Sequence, residues 1–166
     1  MGGSYSFFKD DVAKYLKEHF NRDARILDVG AGCGTYYNYL GDYFTDMDAV
    51  EVFKPNIEMY DLESKYKNVY NVDIKDFEYD KYDIIIFGDV LEHLTVEEAQ
   101  KVLQYALDRC EEVVVAVPYM YPQDAIKNNI YEIHKQPDLT KENMLERYPQ
   151  LKYLYGCDAY GYYIKK

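Results

Sequence analysis

The chain has 166 residues, a formal net charge of −11, 48% hydrophobic and 30% charged residues. That is material for one globular domain spanning residues 1–166, with no basic cluster to hold a polyanion and no apolar run long enough to cross a bilayer. A nucleic-acid binder and a membrane protein are therefore both disfavoured.

Cys33, Cys110 and Cys157 lack metal-ligand spacing and suit a reduced, cytoplasmic setting. Twenty-one tyrosines without a tryptophan supply amphipathic rings for the margin of a core or a pocket. No secretory signal is visible, and the match of Met1-Gly2 and Ser6 to the loose myristoylation pattern is read as coincidence.

Residues 7–20 place Phe8, Val12, Tyr15, Leu16, His19 and Phe20 near one helical face, with Lys and Asp on the other. Residues 26–29, Ile-Leu-Asp-Val, form a short buried strand. Gly30, Gly32 and Gly34 follow on alternate positions, and Thr35 opens a helix to about residue 44. Strand, glycine turn and helix in this order let the backbone approach a ligand closely and offer it free N–H groups. The run is G-x-G-x-G after an acid, Asp28, whereas a dinucleotide fingerprint is G-x-G-x-x-G. An acid here suits an amino-bearing ligand better than a diphosphate.

Residues 47–52 read as a second buried strand with Glu51 near its end. Pro55 suits the first turn of a helix reaching about residue 66, and residues 68–72 are a third strand ending at Asp73. Residues 75–81 are charged and too short for a full helix. Residues 82–87, YDIIIF, form a strand buried on both faces. Thr95 to Glu98 is a capping box for a helix to about residue 109, and residues 112–117 are a fifth strand stopped by Pro118. This alternation implies a parallel, doubly wound α/β sheet. Residues 119–139, with Pro122 and Pro137 and little periodicity, form a long lid-like loop. Thr140 caps a helix over 141–148, and residues 151–155 and 160–164 form an antiparallel hairpin.

The run Asp28-x-Gly30-x-Gly32-x-Gly34 resembles the first motif of class I S-adenosylmethionine-dependent methyltransferases. Five parallel strands and a terminal hairpin resemble their Rossmann-like, seven-stranded sheet, so the resemblance covers nearly the whole chain. It implies S-adenosylmethionine as methyl donor and S-adenosylhomocysteine as product. It assigns the cofactor to Asp28, Gly30, Ala31, Gly32 and Gly34, to Glu51 and Val52 at the ribose, to Asp73 and Ile74 at the adenine, and to Gly88 and Asp89 after the fourth strand. Three acids, Asp28, Glu51 and Asp73, end successive strands at the carboxyl edge, where such sheets bind ligands.

Residues 88–94, Gly-Asp-Val-Leu-Glu-His-Leu, resemble the same stretch in methyltransferases of the ubiquinone-biosynthesis O-methyltransferase group. The Asn/Asp-Pro-Pro-Tyr motif of many amino-methylating enzymes is absent. A sulfonium methyl is already activated, so alignment with the nucleophile provides most of the acceleration. An oxygen nucleophile must also lose a proton, and His93 and His134 are the candidate bases.

Tyr5, Phe8, Tyr119, Tyr121 and Tyr131, with the N-terminal helix, would line a pocket for a small-molecule or glycan acceptor. Asp89, Glu92 and His93 at i, i+3 and i+4 would share a helical face. With His134 they resemble the E-x-x-E-H set by which small-RNA 2′-O-methyltransferases bind a divalent ion, with Asp replacing the first Glu. The adopted reading assigns no metal. The alternatives are that metal-assisted enzyme and a module that binds S-adenosylmethionine without turnover. The glycine spacing opposes an NAD(P) oxidoreductase.

Overall fold

The computed structural model describes residues 6–166, so the Met1-Gly2 pattern and the pocket role expected of Tyr5 lie outside the described residues. Seven strands form one sheet: β1 (Arg25–Val29), β2 (Asp46–Val50), β3 (Asn68–Tyr70), β4 (Tyr82–Gly88), β5 (Cys110–Pro118), β6 (Leu151–Cys157) and β7 (Tyr160–Lys165). Their order is β3-β2-β1-β4-β5-β7-β6. The first five pair in parallel, and β7 enters antiparallel between β5 and β6. This is the Rossmann-like, doubly wound sheet that the alternating strands and helices imply. The Ile and Val runs of β4 and β5 sit in its centre, where both faces are covered.

The helices are α1 (Lys9–His19), α2 (Thr35–Leu40), α3 (Lys54–Met59), α4 (Leu62–Lys65), α5 (Val96–Leu107) and α6 (Lys141–Arg147). Val12 and Leu16 of α1 pack with Tyr36, Leu40 and Leu62 on Ile26, Ile84, Ile86, Val114, Tyr160 and Tyr162. On the opposite face Leu103 and Leu107 of α5 and Met144 of α6 pack on Leu27, Ile85, Val113, Val115 and Tyr163. The capping box forms as expected: Glu98 N–H donates to Thr95 Oγ1 at 3.2 Å, and Thr95 N–H to Glu98 Oε2 at 2.9 Å. Among the described residues no helix is long and apolar enough to cross a membrane.

Three expectations change. The helix over 55–66 is broken into α3 and α4 at Asp61, whose φ of 48° is left-handed. Lys9 does not join the polar face of α1. It lies at i−3, i−4 and i−7 from Val12, Ala13 and Leu16, on the buried stripe, and is 2% exposed. Phe8 stacks near Tyr155 and the Tyr119 hydroxyl meets that of Tyr163, so neither faces the expected acceptor pocket. In the described residues α1 covers the sheet and contributes nothing to the cavity wall.

Candidate active site

A cavity of about 650 Å³ opens at the carboxyl edge of the parallel strands. It sits where β1 and β4 run side by side and the chain's direction of winding reverses, the usual ligand crevice of such sheets. Gly30, Ala31, Gly32, Glu51, Val52, Asp73, Ile74, Gly88, Asp89, His93 and His134 all line it. Asp28 and Gly34 do not.

The wall is built from the end of β1. Gly30, Gly32 and Gly34 have φ of 68°, 54° and 79°. At Gly30 the left-handed backbone coincides with a close approach, since an added Cβ would lie 2.7 Å from Val90 Cγ2. Glu51, 4% exposed just past β2, holds this turn: Gly32 N–H donates to Oε2 and Phe53 N–H to Oε1, both at 2.8 Å. Burial raises the Glu51 carboxyl above its ordinary range, opposed by those two amides. Asn71 donates to the carbonyls of Glu51 and Val52 at 2.7 and 3.0 Å, fixing the next loop. Asp73 caps a 3₁₀ turn by accepting from Lys75 N–H at 3.0 Å, and Lys75 Nζ lies 3.6 Å from its Oδ2.

The floor is aromatic. Tyr36 lies so close to Gly88 that a Cβ there would be 2.1 Å from Tyr36 Cε2. Lys9 donates to Tyr162 at 3.0 Å and Tyr36 at 3.4 Å, and its ammonium is 4.7 Å from the Tyr36 ring centre. Burial lowers the Lys9 pKa, opposed by the charges of Asp89 and Asp28. Asp89, with a left-handed φ of 55°, accepts from Tyr160 hydroxyl at 2.7 Å. Lys9 is the buried group beneath the site that its charge hides in the sequence; its spacing of 3, 4 and 7 from Val12, Ala13 and Leu16 is the signal that places it inward.

Asp28 lies beneath the turn, accepting from the Tyr66 hydroxyl at 2.5 Å. Burial pushes its carboxyl up to about 7, against the pull of Tyr66 and Lys9. Between the unfolded value near 4 and the folded value near 7, the native state binds the extra proton, so stability falls as pH rises through that window. Asp28→Asn keeps an acceptor for Tyr66 and removes the slope. Thermal melts from pH 4.5 to 8 should show the variant gaining on the wild type by on the order of 4 kcal/mol. Parallel pH curves would refute this.

The far end holds Glu92, His93 and His134. Gln136, 2% exposed, donates to the carbonyls of Leu91 and Leu94 at 2.8 and 3.1 Å. Lys135 and Gln136 N–H groups bind Glu92 carbonyl at 2.8 and 3.0 Å. These bonds seat the 119–139 segment on the turn after β4 and bring the His134 ring 4.7 Å from that of His93, edge to face. His93 Nδ1 lies 3.3 Å from Ile133 carbonyl and His134 Nδ1 2.6 Å from Tyr121 carbonyl. A carbonyl only accepts, so these contacts assign the proton to Nδ1 and leave a lone pair on Nε2. Burial, then His134, lowers the His93 pKa to about 4, so the ring is neutral at neutral pH. Glu92 is 1% exposed, and neither carboxylate oxygen has a hydrogen-bond partner. Tyr121 and Tyr131 reach the cavity as expected of acceptor-lining residues.

A family model described as a methyltransferase domain matches residues 4–128. No curated protein matches the chain. Among solved structures, it is similar to an S-adenosylmethionine-dependent methyltransferase from Clostridium acetobutylicum, with a TM-score of 0.73, 12% identity and coverage of 99% of this chain and 92% of that one. It is also similar to an S-adenosylmethionine-bound amino pentose methyltransferase from Micromonospora echinaspora, at TM-score 0.71, 13% identity and 99% and 93% coverage. A third is magnesium protoporphyrin IX methyltransferase from Synechocystis with bound S-adenosylmethionine, at 0.69, 13%, 100% and 87%. At these identities the three share the fold.

Proposed function

The chain belongs to the methyltransferase-domain family, and we propose that it is a class I enzyme moving a methyl group from S-adenosylmethionine to a hydroxyl of a small molecule or sugar, leaving S-adenosylhomocysteine. The observation that carries this reading is one cavity joining a glycine turn and strand-end acids at one end to a pair of imidazoles, His93 and His134, at the other. The residues fit the cofactor. The turn is bare of side chains at Gly30 and Gly32, Glu51 keeps a second lone pair on each oxygen for a ribose diol, and Asp73 and Ile74 suit an adenine edge and face. Asp89 suits the methionine amine. Asp28 acts indirectly, by supporting Tyr66 beneath the turn.

The cofactor supplies a methyl already activated by its sulfonium charge. The chain supplies position and a proton acceptor. Residues 119–139 act as a lid over residues 88–94, and Tyr121, Ile130 and Tyr131 give the acceptor an aromatic and apolar rim. The acceptor's proton leaves toward the Nε2 lone pairs of His134 and His93. The direction toward oxygen rests on these imidazoles and on the likeness of residues 88–94 to the ubiquinone-biosynthesis group. The amino pentose and porphyrin methyltransferases of the same fold support a small acceptor.

Formation of S-adenosylhomocysteine, followed over a panel of sugars and small hydroxyl compounds, tests the reading. Transfer to a member of the panel is expected. Transfer only to protein or RNA, or tight cofactor binding with no transfer, would overturn it, the latter in favour of binding without turnover. His134→Ala should lower kcat by roughly 10²-fold with cofactor affinity unchanged.

A further inference from the structure

We propose that Tyr160, from the last strand, is a positioning residue for the cofactor's methionine arm: its hydroxyl sets the Asp89 carboxylate to receive the α-ammonium. This role rests on the cofactor reading above. It adds that the arm's end of the site is built by β7 and α1 together with the glycine turn.

The place of Asp89 follows from the sheet. β1 and β4 pair in parallel with Val29 opposite Phe87, so residues 88–89 leave the sheet beside the glycine turn. On the cavity wall Asp89 therefore lies between that turn and the two imidazoles at the far end. A carboxylate there is the complement of a ligand ammonium. The helical face expected to align Asp89 with Glu92 and His93 does not form, because the 3₁₀ turn covers only Leu91–His93 and Asp89 precedes it. Asp89 turns instead toward β7.

Three features fix it there. Its N–H donates to the Ala116 carbonyl at 2.9 Å, and its φ of 55° is one that a non-glycine residue adopts at a cost. Its Oδ1 accepts from the Tyr160 hydroxyl at 2.7 Å. Tyr160 stands behind the cavity wall, fully buried, and pairs with Pro118 of β5 and Cys157 of β6. A phenol orients a carboxylate without cancelling its charge, which stays available to a cationic ligand. Lys9 supports the assembly from below. Its Nζ donates to the Tyr162 hydroxyl and lies 5.6 Å from the Tyr160 ring centre, and Tyr162 in turn donates to the Phe7 carbonyl at 2.7 Å. The Tyr36 ring, which the same ammonium faces, packs against Gly88, the residue before Asp89.

Calorimetry with S-adenosylhomocysteine and its deamino analogue, in which hydrogen replaces the α-ammonium, tests the role. Wild-type protein should prefer S-adenosylhomocysteine by about 10- to 100-fold, the range of one charge-assisted contact. Tyr160→Phe keeps the ring and removes the hydroxyl. It should weaken S-adenosylhomocysteine by about 10-fold and change the analogue by less than about 3-fold, so the preference shrinks. Asp89→Asn should shrink it at least as far. Tyr163→Phe, which removes an equally buried hydroxyl paired with Tyr119 on the opposite face of the sheet, should leave it at the wild-type value. Melts confirm that each variant is folded. Equal losses for both ligands in Tyr160→Phe would make Tyr160 merely structural and overturn the proposal. So would a preference undiminished in Tyr160→Phe or Asp89→Asn, one that shrinks as far in Tyr163→Phe, or none in the wild type. Wild-type protein that binds neither ligand would overturn the cofactor reading itself, and this role with it.

Discussion

Exchange of Glu51 for alanine is expected to weaken S-adenosylmethionine binding by about 100-fold, equivalent to about 2.7 kcal/mol. Two losses combine in that figure. A carboxylate that can accept from a ribose diol disappears, and charge-assisted hydrogen bonds of this kind contribute about 1.5–3 kcal/mol each. The same carboxylate also holds Gly32 and Phe53 through their amides, so the turn loses the clamp that shapes it before the ligand arrives. Thermal stability should change much less, because removing a buried carboxylate whose ionised form is disfavoured by burial offsets the two lost bonds. Glu51→Gln keeps an acceptor oxygen and should fall between the two. Calorimetric titration with the cofactor, alongside melts, separates these effects. Wild-type affinity in the alanine variant would remove Glu51 from the binding site.

The second large effect belongs to Lys9. Lys9→Ala is expected to destabilise the protein by about 3–5 kcal/mol, lowering Tm by roughly 10 °C. The side chain fills space among Tyr36, Tyr160 and Tyr162, gives hydrogen bonds to two of those hydroxyls, and brings the positive charge that faces Asp89 and Asp28. Truncation removes all three together. Lys9→Met restores the packing without the charge and should recover about half of the loss. Lys14, on the outer face of the same helix, has a side chain 75% exposed and a loose contact of 3.8 Å to Glu18. Its alanine variant should lie within about 0.5 kcal/mol of wild type. Because Tyr36 floors the cavity against Gly88, the Lys9→Ala protein should also bind the cofactor less tightly. Equal melting temperatures for the Lys9 and Lys14 variants would refute this account.

Much of the fold is legible in the sequence because its strongest signals are local. Residues 84–86 and 113–115 are runs of branched apolar residues that only a doubly covered strand accommodates, and both lie at the centre of the sheet. Thr95 and Glu98 announce their helix start through side-chain bonds three residues apart. The glycine turn, Glu51 and Asp73 are readable for a similar reason, since each sits at a strand end and strand ends share one edge.

What escapes a local reading is any pairing across long separations. The break at Asp61 gives no periodicity signal, because Ile57 and Leu62 remain apolar on either side of it. Nothing near Glu92 says that its carboxylate is buried without a partner; that follows from residues 133–136 folding back over it. Phe8 and Tyr119 have the composition of pocket residues, yet they are claimed by Tyr155 and Tyr163 from the last two strands. The charge of Lys9 points to the polar face of α1, while its spacing from Leu16 places it inward.

The insertion of β7 between β5 and β6 has a consequence for how the chain is made. Strands β1 to β5 can pair as they leave the ribosome, but the free edge of β5 has no neighbour until residues 160–165 are synthesised. The bond from Lys9 to Tyr162 spans 153 residues, so α1 waits until β7 is made for the hydroxyl that receives its buried ammonium. Contacts this distant in sequence form late and slowly. The nascent protein thus passes through a stage with an exposed strand edge, a hazard for aggregation, and an unfinished cavity floor. The Tyr160 hydroxyl that donates to Asp89 and the Tyr162 hydroxyl that receives Lys9 arrive only with β7.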